Sequence, residues 1–158
     1  MANFYVTIEN SKGTQIKGDC SQEGREDTVQ GYEFRSGAFI PTDPHQSRPN
    51  GVRVHRPVSF RKRVDQATPL LWQSMSRGEK LKKVRFDFFE IDEAGSNKNT
   101  YSITIENAVI TDMESVLQPE GRFGGAEELA EVLSFTFDKI TWDHHASSQT
   151  SSSEWKTT

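Results

Sequence analysis

The amino-acid sequence predicts a mainly β protein: an antiparallel β-barrel with one short flanking α-helix. Apolar and polar residues alternate with period two along most of the chain, which is the pattern of strands with one buried face. Strands do not alternate with long helices, so a parallel sheet is not predicted. Only 33% of the residues are hydrophobic, but ten Phe, three Tyr and three Trp supply bulky side chains, which suits the thin core of a small barrel.

The first strands are predicted at residues 4–8 and 29–40, the second weakened by Gly31 and Gly37. The loop that follows, at 41–51, is long for a hairpin connection and carries three prolines. Because prolines keep such a loop extended and pre-ordered, we expect it to reach an adjacent copy of the chain. The residues predicted to make this contact are Pro41, Thr42, Asp43 and Pro44.

The next strand is predicted at 52–64, where every second residue has the same character. The core-facing set is Val52, Val54, Val58, Phe60 and Val64, and the outer set is Arg53, His55, Ser59, Arg61 and Arg63. We expect Arg53 and His55 to line a subunit interface or a polar lumen.

The helix is predicted at residues 69–77. Thr68 can cap its start, Pro69 fits the first helical position, and Gly78 suits the left-handed residue after its end. The clearest strands follow at 84–88 and 101–113, joined by a loop at 93–99. In the second of these strands the predicted inward set is Tyr101, Ile103, Ile105, Asn107, Val109, Thr111 and Met113.

The last part of the chain contains a loop at 118–126 and a strand at 133–137. After Phe137 the apolar positions change parity, and a bulge near Asp138 and Lys139 would explain the change. The Ser/Thr-rich segment at 147–153 has the composition of a disordered tail. Trp155 follows it, and we expect this residue to dock on the domain.

Length, net charge and cysteine content limit the function. The 158 residues are the length of one domain, predicted to occupy 1–158. A net charge of −4 argues against a globally basic nucleic-acid-binding protein. No apolar stretch is long enough to span a bilayer and the start lacks a signal sequence, so we expect cytoplasmic synthesis without membrane insertion. Cys20 is the only cysteine, which excludes an intrachain disulfide and a multi-cysteine zinc site.

Catalytic and cofactor motifs are missing from the sequence. It contains no nucleophile elbow, P-loop, dinucleotide fingerprint or metalloprotease helix motif. His144 and His145 would face opposite ways on a strand, so they cannot chelate one metal there. We therefore predict no enzyme activity, no cofactor and no metal site.

The charges are segregated along the chain. Eleven basic and two acidic residues between 45 and 85 give that segment +9, whereas the remaining eight basic and 21 acidic residues give −13. This pattern suits complementary faces that stack copies head to tail, with Lys82 and Lys83 on the basic face. The alternatives are an arginine strip that binds polyanions, and charges that are merely solvated. No exposed aromatics interleave with the arginines, which argues against a nucleic-acid partner.

Several ordered segments resemble the haemolysin-coregulated protein (Hcp) family of the bacterial type VI secretion system. They are IPTD at 40–43, GVRVHRP at 51–57, KRVDQATPLL at 62–71, GEKL at 78–81, ENA at 106–108, KITW at 139–142 and Trp155. The sequence departs from the family pattern mildly at Thr68 and Glu154, and it matches poorly at 121–131.

This resemblance implies a structural subunit of the secretion tube: a β-barrel that forms six-membered rings, which stack and carry effector proteins in the lumen. It also implies that sheath, spike and baseplate proteins of the system are partners. Export would then proceed through the secretion apparatus, to the extracellular space or a target cell, without a cleaved signal. A phage tail-tube protein with the same architecture remains the alternative at this level.

Overall fold

The computed structural model describes residues 3–49, 51–118 and 128–156. Within them lie eleven strands and one helix: β1 Asn3–Glu9, β2 Gln15–Ile16, β3 Val29–Phe39, β4 Thr42–Asp43, β5 Arg48–Pro49, β6 Val54–Arg63, α1 Thr68–Arg77, β7 Leu81–Ile91, β8 Asn97–Gln118, β9 Glu128–Thr136, β10 Lys139–His144 and β11 Gln149–Glu154. No helix among the described residues is both long and apolar enough to cross a membrane.

Six strands form a closed ring, which confirms the predicted fold class. They pair in the order β8, β7, β1, β3, β6, β9, and β9 pairs again with β8. Every pairing is antiparallel. The strands β10 and β11 extend the sheet from β8 beyond this ring. Closure leaves few open strand edges, which stabilises a sheet that has little hydrophobic material to bury.

The barrel interior is filled by aromatic side chains. Phe60 is fully buried between Phe86, at 5.5 Å between ring centroids, and Phe135, at 5.9 Å. Phe4 lies in the same cluster, 6.3 Å from Phe60. Aromatic rings from several strands therefore bury a large apolar area, although only a small fraction of the residues is hydrophobic.

The long strand β8 bends in its middle, so the single inward set predicted for 101–113 is wrong. Ile103 and Ile105 are buried as predicted, but Ala108 and Ile110 are buried at even positions, and the odd parity returns at Met113 after a register shift between Ile110 and Asp112. Asn107, between the two sets, has a φ of 52°. This left-handed residue turns the second half of the strand so that its other face meets the core.

The parity change after Phe137 has the same origin, and the predicted bulge is wrong. Glu106 faces Lys139 and Val109 faces Thr136, so two residues lie between these pairs on each strand. Neither strand carries an inserted residue relative to the other. The partner of β8 instead breaks into β9 and β10, because both ladders bend at the same point.

A real bulge lies in β6, where it was not predicted. Arg35 faces Ser59 and Gly37 faces Arg56, so one residue on β3 opposes two on β6. The bulge exchanges the faces of β6: His55 is buried beside Val58 and Phe60, while Val52 and Val54 are exposed. The prediction that His55 shares one outer face with Arg61 and Arg63 is therefore wrong.

The helix α1 occupies the predicted place, but its start differs. Ala67 is the N-cap residue, and no side chain caps the helix, so the predicted Thr68 cap is wrong. The Thr68 hydroxyl instead accepts a hydrogen bond from the Asp65 backbone N–H at 3.1 Å, within the preceding turn. At the other end Gly78 adopts φ 63°, as predicted for the residue that ends the helix.

The carboxyl-terminal segment is ordered, so the tail predicted at 147–153 is wrong. Residues Gln149–Glu154 form β11, which pairs along its whole length with β10. Trp155 packs on the core, as expected. Serine and threonine tolerate this strand because the backbone completes a ladder, while hydroxyls such as those of Thr150 and Ser153 find side-chain partners. Most of the glycine-rich loop predicted at 118–126 lies outside the described residues.

Candidate subunit interface

The loop predicted to reach a neighbouring copy forms a projecting hairpin. Thr42 pairs with Pro49 and Asp43 with Arg48, and β4 and β5 pair only with each other within the described residues. The Asp43 carboxylate accepts a hydrogen bond from the His45 N–H at 2.9 Å, and Ser47 turns the chain with φ 51°. We call residues 41–49 the arm. Pro41, Thr42, Asp43 and Pro44 all lie on it.

An exposed apolar cluster surrounds the base of the arm. Its members, the arm root, are Phe39, Ile40, Val52 and Val54, and each is 43% to 60% exposed. Phe39 and Val54 face each other across β3 and β6. An apolar patch of this kind is unfavourable in water and is typical of a surface that a partner covers. The arm and its root together have the features of an assembly surface.

The predicted basic face lies at the start of β7. Lys82 and Lys83 are both exposed. Lys82 lies against the tight turn at Gly13, where a Cβ would approach its Nζ to 3.5 Å. Lys83 is the cross-strand neighbour of two acidic residues, Glu9 on β1 and Glu106 on β8. Of the two lysines, Lys82 is the less compensated charge.

Acidic residues lie at the opposite end of the same strand. β7 has eleven residues, so at roughly 3.3 Å per residue its ends are about 30 Å apart. Asp92, just beyond Ile91, pairs with Lys98 at 3.1 Å. The Ser96 backbone N–H and the Lys98 side chain lower the pKa of Asp92. This pairing reduces the charge contrast that the sequence predicts between the two ends of the barrel.

Arg53 and His55 contact the chain's own carboxyl-terminal strand. Arg53 donates a hydrogen bond to the carbonyl oxygen of Glu154, and His55 Nε2 lies 2.9 Å from the Ser153 hydroxyl. The His55 ring is only 5% exposed and stacks on Trp155 at 6.2 Å between centroids. Burial, and then the nearby Arg53 charge, lower the pKa of His55. Their contact with another subunit stays a prediction, whereas their contact with β11 is seen in the structure.

A buried ion cluster was not predicted. Lys62 on β6 and Glu131 on β9 are both fully buried, with Nζ 3.0 Å from Oε2. The Lys62 ammonium also donates to Asp65 Oδ1 at 2.9 Å, to Thr68 Oγ1 at 3.1 Å and to the carbonyl oxygen of Arg63 at 3.0 Å. The sequence did carry a signal: Lys62 shares the inward parity of Phe60, and Glu131 that of Leu133.

A second unpredicted contact closes the loop between β2 and β3 over the sheet. The Arg25 guanidinium lies over the ring of Tyr5 at 4.7 Å and over that of Phe89 at 4.4 Å. The Tyr5 hydroxyl donates to Gln22 at 2.9 Å. Tyr5 is consequently buried although it points away from the barrel interior.

Ser102, His145 and Asp87 lie within hydrogen-bond distance of one another's side chains through Ser102. The order of their hydrogen bonds differs from that of a catalytic triad. Ser102 Oγ lies 2.8 Å from His145 Nε2 and donates its proton to Asp87 at 2.5 Å. In a hydrolytic triad the carboxylate would orient the histidine, and the histidine would accept the serine proton. Here the Asp87 carboxylate accepts the hydrogen bond of the Ser102 hydroxyl, and Ser102 is fully buried. Among the described residues no three His, Cys, Asp or Glu side chains are grouped as metal ligands.

Comparison with known proteins agrees with the fold. The family model described as "Type VI secretion system effector, Hcp" matches residues 5–144. The chain is 36% identical over 140 residues to the major exported protein of Pseudomonas aeruginosa, covering 88% of this chain and 81% of that protein.

Two solved structures have the same fold as this chain. The secreted protein Hcp3 from Pseudomonas aeruginosa is 29% identical with a TM-score of 0.82, covering 99% of this chain and 100% of that one. The Hcp1 protein from the E. coli EAEC 042 pathovar has the same fold, with a TM-score of 0.89 at 24% identity, covering 98% and 99% of the two chains. The chain therefore belongs to the Hcp family and is a structural tube protein of the type VI secretion system.

Proposed function

We propose that this tube protein assembles as a ring of six copies, that the rings stack into the secretion tube, and that the lumen carries effector proteins. The observation that carries the proposal is the projecting arm with its exposed apolar root, on a chain that matches the family over residues 5–144. The arm has no intrachain cover among the described residues, and a neighbouring copy would supply it. We also propose that the chain is made in the bacterial cytoplasm and exported by this system without a signal peptide.

The ring contact is tested at the arm root. We expect Ile40→Ser combined with Val52→Ser to disperse the ring while the barrel stays folded, because both side chains are about half exposed in the single chain. The matched control is Leu70→Ser with Ile91→Ser, which removes similarly exposed apolar side chains outside the arm and its root. Light scattering at a series of protein concentrations gives the oligomeric state. Rings of unchanged stability in the arm-root variant would contradict the contact.

The arm itself is tested by shortening it. Thr42 and Pro49 are cross-strand partners, so residues 43–48 can be replaced by Asn-Gly, which closes a two-residue hairpin. We expect a folded monomer. A shortened variant that still sediments as a hexamer would show that the arm does not hold the ring together.

Ring stacking is tested at the start of β7. The charge reversal Lys82→Glu should leave the ring intact and impair tube growth and secretion. It would weaken the attraction between the basic face of one ring and the acidic face of the next. Lys83 is the poorer site, since a carboxylate there would face Glu9 and Glu106 and destabilise the barrel. Lys156→Glu is the control for charge alone. Normal tube growth with Lys82→Glu would remove this residue from the stacking surface.

The remaining partners follow from the family. We propose that the assembled tube contacts the sheath, spike and baseplate proteins of the system and that the chain has a structural, non-enzymatic role. Co-purification of these proteins with wild-type tubes, but not with the arm-root variant, is the expected result.

A further inference from the structure

A groove of about 770 Å³ lies on the outer face of β3, β6 and β9. Two arginines, Arg35 and Arg56, and three serines, Ser36, Ser59 and Ser134, supply its polar lining. The lining contains no carboxylate. A smaller recess of about 200 Å³ continues from it, shares Arg35 and Ser59, and adds Arg61 and Glu33. The face as a whole is therefore positively charged.

The bulge in β6 and the glycine opposite it place Arg56. Gly37 faces Arg56 across the strands, and a Cβ on Gly37 would lie 3.4 Å from the Arg56 Nη1 atom. This is ordinary contact distance, so the Arg56 side chain packs along the backbone of β3 at Gly37. The same guanidinium lies over the Phe39 ring at 5.1 Å, which holds it at the edge of the groove. The arginine is positioned by its surroundings although it is exposed.

The guanidinium groups of the two groove arginines have N–H donors that are not used in ion pairs within the described residues. Two other arginines are held in ion pairs: Arg63 with Glu128 at 3.1 Å and Arg85 with Asp87 at 2.8 Å. Across residues 3–49, 51–118 and 128–156, Arg35 and Arg56 form no ion pair. Two guanidinium groups beside three hydroxyls, with no carboxylate between them, form a surface that favours an anionic ligand.

We propose that this groove binds an extended, acidic segment of a partner protein, with its carboxylates on Arg35 and Arg56 and its backbone against the serines. Guanidinium groups bind carboxylates through two parallel hydrogen bonds, and serine hydroxyls can both donate to and accept from a peptide backbone. An open groove that crosses three strands suits a chain passing over it.

Nucleic acid fits the groove less well. Single-stranded binding sites place exposed aromatic rings where bases can stack. Phe34 is the one aromatic residue lining the larger groove, and its ring is held by Phe86 at 4.9 Å and Phe88 at 5.1 Å between centroids. The groove therefore presents one partly buried ring, packed edge-to-face against the core, and no series of rings on which successive bases could stack.

The test is fluorescence anisotropy with a labelled ten-residue peptide of alternating Glu and Thr. We expect wild type to bind it at low salt and not to bind the Gln/Thr peptide. Arg35→Gln with Arg56→Gln should raise the Kd about tenfold or more, since charge-assisted hydrogen bonds are the strong class.

Lys12→Gln with Lys80→Gln is the matched control, because it removes the same charge from exposed positions outside the groove. Equal weakening in this control would overturn the groove as the site, as would no binding by wild type at low salt. An oligonucleotide of equal charge that binds more tightly, and is lost in the Arg35 and Arg56 variant, would overturn the peptide assignment. Light scattering on the same samples reports ring formation separately, so a failure of the proposed assembly remains distinguishable from a failure of this inference.

Discussion

Replacing Lys62 by Met should destabilise the barrel more than any other single charge removal. The side chain is fully buried, its three N–H groups donate at 2.9 to 3.1 Å, and Glu131 lies at 3.0 Å. Without the ammonium group, Asp65 and Glu131 would remain as two uncompensated carboxylates in one dry site. Breaking a buried pair from one side costs about 3 to 5 kcal/mol.

Glu131→Met should cost less than half as much. The three ammonium protons are directed to Asp65, Thr68 and the Arg63 carbonyl, and neither Glu131 oxygen takes part in a hydrogen bond. The glutamate is therefore held by charge attraction alone. When it is removed, Asp65 still neutralises Lys62, and the buried carboxylate no longer has to be desolvated.

The assay is urea unfolding followed by tryptophan fluorescence at one fixed protein concentration, because assembly would shift the apparent stability. With a slope of roughly 2 kcal/mol per molar urea, the Lys62→Met midpoint should fall by about 1.5 to 2.5 M. Lys17→Met is the control: its ammonium lies 3.9 Å from Asp27 with both side chains exposed, a pair worth at most about 1 kcal/mol. A loss below about 1 kcal/mol for Lys62→Met, or a Glu131→Met loss as large as that of Lys62→Met, would refute this reasoning.

Three further changes should be measurable on the purified protein. Burial lowers the pKa of His55 below its ordinary 6.5, so the unfolded state binds the proton more readily and stability should fall as pH drops below 6.5; His55→Gln should flatten that slope in pH-dependent unfolding. Trp155→Ala should cost about 2 kcal/mol in thermal unfolding, because it uncovers the Phe137 ring at 4.9 Å, and an unchanged Tm would show that the tryptophan does not dock. Gly31→Ala should destabilise by about 1 to 3 kcal/mol, since its Cβ would lie 2.2 Å from the buried Phe4 ring, and a neutral result would mean that the ring moves aside at no cost.

The sequence predicted the class of fold because period-two alternation reports directly which face of a strand is buried. It located the helix by Pro69 and Gly78, and the family resemblance that it carried is confirmed by the comparisons. The sequence also predicted an extended loop at 41–51, because three prolines in eleven residues do not suit the interior of a sheet.

What the alternation could not report is where a strand changes its face. The positive φ of Asn107 and the bulge opposite Gly37 depend on neighbouring strands, and they moved His55 from the predicted outer set into the interior. The same bulge lies at Arg56, which lines the groove together with Arg35.

The sequence by itself determined the β-barrel class, the family and the projecting arm, because these follow from local periodicity, turn residues and ordered motifs. The tertiary structure alone decided which charges are buried and which are displayed. Lys62 and Arg61 are neighbours in one basic run, yet one is enclosed with Glu131 while the other lines the recess beside the groove. Only the pairing of β6 with β9 brings the lysine and the glutamate within 3.0 Å, and a contact between residues so distant along the chain exists only once the sheet has closed.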